Sequence, residues 1–318
     1  MHTAITTEVL GEHPALFDIA IPEIDDPTFT SWVRGGDGLV GFGIYKSHIV
    51  KGANRFAQAR SWWREQVSAL EIHNNVHGTG TGPILFTSFA FDPSEESVLV
   101  IPRVVIGQRN GKSWITWIGA TPQPALREAR LGNDPLSLQW SGSNGDVWQD
   151  RVARAVSKIK SEQLEKVVLA RFITATSDKT INVRNLLKSL AAGYPLTWVY
   201  ANTGLVGATP ELLVRLSKSL VTSRILAGTI RKTGDDERDL ALAGSLARSS
   251  KDLEEHEYAV RSVADALTPL CSSMNVPESP FVLHLSNVMH LATDVTGVLA
   301  DSYNPVDIFE LVSRLHPS

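Results

Sequence analysis

The order of strand-like and helix-like segments most constrains what this chain can fold into. Runs rich in β-branched and aromatic residues at 84–90, 97–105 and 113–118 are bounded by Pro, Gly, Asp and Asn, which predicts antiparallel strands. Apolar residues then recur at helical spacing between 148 and 159, which predicts an amphipathic helix ending near residue 161. Strands and helices mixed in this order predict an α+β fold.

The remaining segments support the same fold class. Residues 167–170 are continuously apolar and predict a buried strand that begins directly after Lys166. Residues 197–206 resemble a hairpin that turns at 202–204. Four further segments have strand-like or helical patterns: strands at 211–216 and 223–226, and helices at 236–248 and 251–270. In the first half, 35–43 reads as a turn entering a strand and 53–70 as a helix.

Length and composition set limits on the class of protein. The chain has 318 residues, of which 43% are hydrophobic, so it can bury a sizeable core. No Pro/Gly/Ser linker divides it, and we expect one integrated domain. The 30 basic and 34 acidic residues give a net charge of -4, which argues against nucleic acid or a membrane as a partner. The single Cys271 and the lack of a leader-like segment predict a soluble, cytoplasmic protein.

Two side chains are candidates for acid–base chemistry. Lys166 stands where a hydrophobic strand begins, and partial burial there would lower its pKa and make it a general base. Glu211 lies between a Gly-Ala-Thr-Pro turn and a predicted strand, where a carboxyl held protonated could act as a general acid. A solvated strand end and an exposed turn residue are the alternatives for these two positions.

Two other places combine polar groups with close backbone approach or shared helix geometry. The small residues of 226–229 would let a ligand reach backbone N–H groups. Asp252 and Glu255 are three residues apart, so they share a helix face and could bind Mg²⁺. A solvated acidic helix start would have the same sequence. His256 has no His or Cys partner at zinc-ligand spacing.

Taken together and in this order, these segments resemble the chorismate-utilising enzymes, and most closely the isochorismate synthases of menaquinone or siderophore pathways. The matching motifs span nearly the whole chain, and their order is more specific than any one of them. They are Gly38–Gly43, Phe89–Asp92, Glu165–Arg171, Gly207–Leu213, Leu226–Thr229, Lys251-Asp252 with Glu255–Glu257, and Met289–Thr293.

The resemblance implies an anthranilate synthase component I-like fold in which two mixed sheets pack together beneath outer helices. Within it, residues 1–145 would form a scaffold portion and residues 146–318 the chorismate-binding catalytic portion. The implied reaction is a hydroxyl transposition on chorismate, in which water adds at one ring carbon while a ring hydroxyl leaves. Lys166 would activate the water, and Glu211 would protonate the departing hydroxyl.

The resemblance also implies a cofactor and a substrate pocket. Glu255 would bind Mg²⁺ directly and Asp252 would support it through water, so that the cation neutralises the ring carboxylate. Ala227, Gly228 and Thr229 would pass close to the substrate, and His290 would line the same pocket. We expect a monomer that binds chorismate, with an isochorismate-consuming downstream enzyme as its expected protein partner.

Other functions stay open at this point. Family members that use ammonia have an uncharged residue in place of Lys166, and one branch has a nucleophilic lysine in place of Ala227. Both positions therefore favour water over ammonia, yet salicylate synthases share the Lys and Glu and continue to pyruvate elimination. An inactive remnant is a further alternative. The hypothesis of a nucleotide-binding protein depends on the glycines of 78–82. It is poorly supported, because Pro83 prevents a helix from starting there.

The last residues, 315–318, resemble the opening of a motif after which family members continue for several strands and helices. In the family, that further part carries a second glutamate ligand for Mg²⁺ and a glycine-rich backbone that grips the substrate carboxylates. We therefore expect a C-terminally incomplete fold, weak Mg²⁺ binding and an uncovered apolar sheet edge. A fragment, a degraded gene and a natural short form completed by another polypeptide all remain possible origins.

Overall fold

The structure is a computed structural model that describes residues 3–119, 122–132, 136–142, 145–164, 167–300 and 306–316. The chain divides into two compact units. The first comprises residues 1–130 and 186–318, and the second comprises residues 131–185. Within the described ranges, no helix is both long and apolar enough to cross a membrane.

Strands and helices are mixed along the chain, as the sequence pattern predicts. The described strands are β1 Thr3–Leu10, β2 Ile19–Ala20, β3 Phe29–Arg34, β4 Asp37–Val50, β5 Leu70–Asn74, β6 Phe86–Ser88, β7 Ser97–Arg109, β8 Lys112–Ile118, β9 Arg127–Glu128, β10 Leu138–Gly142, β11 Ile173–Ser177, β12 Trp198–Asn202, β13 Leu205–Thr209, β14 Leu212–Ser217, β15 Leu220–Arg231, β16 Cys271–Asn275, β17 Phe281–His284 and β18 Val288–Leu299. The described α-helices are α1 Arg55–Ser68, α2 Gly145–Lys160, α3 Val183–Gly193, α4 Asp236–Ala247, α5 Ser250–Leu267 and α6 Ile308–Leu315.

The first unit contains two large sheets. In the larger one, the described strands follow the order β13-β12-β3-β4-β7-β8-β1-β5, and β6 pairs with β7. The β1–β5 pair is parallel and the other described pairs are antiparallel, so this sheet is mixed. The smaller sheet has the order β14-β15-β18-β16 with β17 beside β18, and its described pairs are all antiparallel. The predicted α+β class is confirmed, and among the described strand pairs the parallel one lies in the larger sheet.

The chain passes from the larger sheet to the smaller one at a single proline-containing junction. Strands β12 and β13 form the predicted hairpin, whose turn residues Thr203 and Gly204 have φ values of 44° and 93°. Strand β13 ends at Thr209 in the larger sheet, and β14 begins at Leu212 in the smaller one. The two residues between them, Pro210 and Glu211, therefore make the crossover.

Helices supply apolar side chains to both sheets of the first unit. Val260, Val263 and Leu267 of α5 are buried in one cluster with residues of β15 and β18. Phe309 of α6 belongs to a second cluster with α1, β4 and β7, while Leu311 of the same helix enters the α5 cluster. Because α6 contributes to both clusters, it links the packing of the two sheets.

The second unit is much less buried. Strands β10 and β11 pair antiparallel, and the predicted helix is present as α2, yet none of the side chains of α2 is buried. The prediction of a buried strand at 167–170 is wrong, because these residues are assigned to no strand and the Val168 side chain is 80% exposed. An apolar run becomes a strand only where a neighbouring backbone pairs with it. The proposed division at residues 145 and 146 stays a prediction.

Candidate active site

Glu211 occupies the crossover between the two sheets. Pro210 has no backbone N–H to give to a sheet, and the Glu211 N–H donates to Thr209 Oγ1 at 3.2 Å, so neither residue continues a ladder. Glu211 is exposed as a whole residue, as the alternative of a turn residue predicts, yet desolvation of its carboxyl raises the pKa above the ordinary value. A hydrogen bond from the backbone N–H of Leu226 offsets part of that rise. Glu211 therefore has the protonation tendency expected of a general acid.

The small-residue segment lies within β15 and contains a β-bulge. Ala227 pairs with Leu291 and Thr229 with His290, so Gly228 is the extra residue on its strand. Gly228 has a φ of 80°, which favours glycine. A Cβ added there would lie 3.1 Å from Asp252 Cβ and 3.2 Å from Leu291 Cδ1. The backbone of the bulge is thus packed closely between α5 and β18.

His290 lies directly across from this bulge on β18. Its Nδ1 is 2.9 Å from Thr229 Oγ1. Burial lowers the pKa of the His290 imidazole, and a hydrogen bond to the Gly228 backbone opposes that shift in part. A neutral imidazole is therefore favoured at neutral pH, and it can donate or accept a hydrogen bond beside the bulge.

Asp252 and Glu255 lie near the N-terminus of α5. Ser249 is the N-cap residue, and its hydroxyl both accepts from the Asp252 N–H and hydrogen-bonds to Asp252 Oδ2. Asp252 is thus part of a capping arrangement as well as a neighbour of Gly228. Glu255 follows one turn later and is half-buried.

The fit of these carboxylates to Mg²⁺ rests on their chemistry. Both offer oxygen donors, and Mg²⁺ commonly keeps several waters while taking only one or two protein carboxylates. Among the described residues, no group of three or more His, Cys, Asp or Glu side chains could hold a metal ion. Asp252 and Glu255 therefore fit a largely hydrated Mg²⁺ and do not form a closed cage. The magnesium prediction stays a prediction.

His256 is the residue of this region whose position the sequence reasoning missed. Its imidazole is 2% exposed, with Nδ1 3.2 Å from the Ala227 carbonyl oxygen and Nε2 2.7 Å from Thr293 Oγ1. The sequence pattern includes it in the Glu255–Glu257 motif and gives it no partner for zinc, but assigns it no role in the site. A signal for burial was available, since Leu253, His256 and Val260 share one helix face at i, i+3 and i+7.

The structure brings together most, but not all, of the predicted site. Glu211, the 227–229 segment, Asp252 and His290 converge through the contacts described above. Lys166, the predicted base, lies outside the described residues, as does Glu165. Its role and its placement relative to Glu211 stay predictions.

A groove of about 760 Å³ adjoins this region on another side of α5. Its walls come from the α5 face that carries Leu253 and Val260 and from the segment 276–280. His256 and Thr293 also line it, whereas Glu211, Gly228 and His290 do not. The groove is therefore a neighbour of the predicted substrate site and does not coincide with it.

Residues 14–318 match the family of chorismate binding enzymes. The chain belongs to that family. It is 27% identical over 302 residues to the isochorismate synthase MenF of Bacillus subtilis, covering 84% of this chain and 64% of that protein. It is 30% identical over 262 residues to the isochorismate synthase EntC of Escherichia coli, covering 80% of this chain and 64% of that protein. The chain thus spans less than two thirds of the length of these curated relatives.

Solved structures agree with the fold. The menaquinone-specific isochorismate synthase MenF from Escherichia coli superimposes with a TM-score of 0.78 at 20% identity, covering 100% of this chain and 76% of that chain. Anthranilate synthase component I from Streptococcus pneumoniae gives a TM-score of 0.56 at 16% identity, covering 98% of this chain and 74% of that chain. At these identities the likeness shows the fold alone, and it confirms the anthranilate synthase component I-like architecture.

Proposed function

We propose that the protein converts chorismate to isochorismate. One observation carries the proposal: the Glu211 carboxyl, with its raised pKa, accepts a hydrogen bond from the N–H of Leu226, two residues before the Gly228 bulge that lies across from His290. The curated relatives named above, which are isochorismate synthases, support this choice of reaction within the family.

The proposed chemistry uses two proton transfers, one at each of two residues. Lys166 Nζ accepts a proton from water as the water oxygen bonds to a ring carbon. Glu211 donates its proton to the ring hydroxyl, which leaves as water, so one water enters and one departs. The raised pKa keeps Glu211 protonated over a wider pH range, and activity should fall as the pH rises through that pKa.

The other residues bind and orient the ring. The absence of a side chain at Gly228 lets α5 and β18 pack closely on the bulge. The backbone of Ala227, Gly228 and Thr229 would pass close to the substrate. The neutral His290 imidazole can hydrogen-bond a substrate oxygen. Glu255 would hold Mg²⁺ directly and Asp252 through water. When bound, Mg²⁺ supplies positive charge that neutralises the ring carboxylate of the substrate.

The finer assignments follow from the same proposal. The names of relatives place such enzymes in menaquinone and siderophore biosynthesis, and Glu211, Asp252 and His290 are compatible with either pathway. A single free cysteine, Cys271, suits a reducing compartment, so we propose a cytoplasmic enzyme. Chorismate would be its substrate, and an isochorismate-consuming enzyme would act next.

The direct test incubates the 318-residue chain with chorismate and Mg²⁺, and detects isochorismate through a coupled isochorismatase. Glu211→Gln and Lys166→Gln should each lower kcat by at least about a hundredfold, the contribution typical of a general acid or base. Glu254→Gln, an exposed carboxylate change on α5, is the matched control and should retain activity. Formation of salicylate or of ammonia-dependent anthranilate as the main product would overturn the proposal.

A second candidate is a chorismate-binding protein without turnover. It is compatible with the match of residues 14–318 to the chorismate binding enzymes, and it requires no proton transfer by Lys166 or Glu211. Under this alternative, chorismate should raise the Tm of the 318-residue chain while no isochorismate forms. Glu211→Gln would then leave the Tm shift in place, because its role is proton donation and not ring binding.

A further inference from the structure

The Gly228 bulge sets the geometry between two strands at the proposed site. It shifts the β15–β18 register by one residue, and it places Thr229 opposite His290. Leu226, whose N–H bonds to Glu211, precedes the bulge by two residues. A displacement of this short backbone segment would therefore change where Glu211 and His290 stand relative to each other.

One side chain from α5 holds that segment from behind. His256 Nδ1 lies 3.2 Å from the carbonyl oxygen of Ala227, the residue directly before the bulge. Its Nε2 lies 2.7 Å from Thr293 Oγ1 on β18. A carbonyl oxygen accepts and cannot donate, so Nδ1 carries the proton, and the Thr293 hydroxyl donates to Nε2. One imidazole thus connects the helix to both strands.

Because the His256 ring is buried, the loss of either of its hydrogen bonds should be costly. His256 is 2% exposed, and water cannot easily replace a partner that is lost at such a position. Thr293 is equally buried. Both ring nitrogens of His256 are therefore paired with protein groups inside the structure.

We propose that His256 is a positioning residue that fixes the Gly228 bulge, and through it the relative placement of Glu211 and His290. His256 does not touch the substrate in this scheme. The consequence for catalysis rests on the proposed function, whereas the effect on the bulge does not. The two can therefore be tested separately.

The first test measures backbone hydrogen exchange across residues 226–230 in the full 318-residue chain. His256→Phe keeps a planar ring and removes both hydrogen bonds, so exchange in this segment should rise about tenfold. His256→Asn offers an amide N–H in the place of Nδ1–H and should recover part of the protection. Exchange in α4 should stay unchanged, and Glu254→Gln should behave as the parent chain.

Thr293→Val provides a second approach if His256→Phe does not fold. It is close in shape, it leaves the ring in place, and it removes the hydroxyl that donates to Nε2. It should loosen 226–230 less than His256→Phe does, because the bond to Ala227 remains. Unchanged exchange in 226–230 for either folded variant would overturn the proposal, as would an equal rise throughout the first unit.

The second test asks whether the bulge matters for the proposed reaction. In an active chain, His256→Phe should lower kcat at least about tenfold with a smaller change in KM, and His256→Asn should restore part of kcat. A parent kcat in His256→Phe would overturn the positioning role and leave the proposed function standing. If the parent chain neither binds nor converts chorismate, the proposed function fails, and the exchange experiment alone decides the role of His256 in the bulge.

Discussion

Helices α5 and α2 both have apolar residues at helical spacing, but those residues are buried in α5 and largely exposed in α2. In α5, Val260, Val263 and Leu267 are 8%, 5% and 0% exposed. In α2, Val152 and Val156 are 36% and 43% exposed, although they too recur at helical spacing. Periodicity therefore predicts that a helix forms and which face is apolar. Burial of that face depends on what packs against it, and one helix alone does not specify its partner.

The largest expected effect lies on the α5 side of this comparison. Leu267→Ala should lower the free energy of unfolding by about 3 kcal/mol, because it removes a fully buried side chain from the cluster that includes Val221 and Val295. Urea denaturation followed by circular dichroism would measure it. A loss below about 0.5 kcal/mol would mean that this cluster is not a close-packed core, and the contrast with α2 would disappear.

The Gly228 bulge packs against its neighbours through its backbone, whereas the α5 residues pack through their side chains. Gly228→Ala should cost about 2 kcal/mol, because alanine is strained at a φ of 80° and its Cβ would press on Asp252 and Leu291. Gly234→Ala is the matched control, since Gly234 has a φ of 86° with no heavy atom within 4 Å of the added Cβ. The control should cost about 1 kcal/mol from strain alone. Equal Tm losses in the two variants would show that packing at the bulge contributes nothing.

Sequence alone predicted elements better than their pairing. Alternation and turn residues located β7, β8 and the hairpin of β12 and β13, because each of these depends on local signals. The prediction failed at 167–170, where the run is apolar enough for a buried strand but no pairing forms among the described residues. Hydrophobicity reports a tendency to be buried, whereas a strand also needs the backbone groups of a neighbour.

The candidate site, like the fold, could be predicted from the sequence only in part. Glu211 and the 227–229 segment were identified from turn composition and from the resemblance, and the structure places them together. The role of His256 was not predicted. It depends on contacts between α5 and two strands: the bulge in β15, and Thr293 of β18, which is 37 residues further along the chain. Such a contact is set by register between strands, and register cannot be read from the spacing of one segment.

At the start of helix α6, an ion pair adds to the stability that apolar packing provides in α5. Asp307 caps α6 and accepts two hydrogen bonds from Arg60, at 2.7 and 2.8 Å. Burial alone would raise the pKa of Asp307, but the bonds from Arg60 and the Glu310 N–H, with the charges of Arg60 and Arg64, lower it below the ordinary 3.8. Asp307→Asn keeps a capping side chain and loses the charge, so it should cost about 1 kcal/mol at pH 7.

The pH dependence of that loss follows from the lowered pKa. A carboxyl whose folded-state pKa is depressed contributes stability above its unfolded-state value and loses it as the pH falls through the folded-state value. The difference between the parent chain and Asp307→Asn should therefore be constant above about pH 5 and shrink below pH 3.8. Urea midpoints at pH 7, 5 and 3 would measure it. A difference that grows on acidification would contradict the assigned direction of the shift.

The smallest effect on stability is expected for a substitution in α2. It tests most directly whether the apolar face of α2 is unpacked while that of α5 is packed. Val156→Ala should change the free energy of unfolding by less than about 0.5 kcal/mol, because its side chain is 43% exposed and alanine has the higher helix propensity. The matched variant in α5 is Val263→Ala, which should cost about 2 kcal/mol because Val263 is 5% exposed. If both valines cost the same in parallel urea titrations, α2 is packed in solution, and the apolar stripe of the second unit has a partner after all.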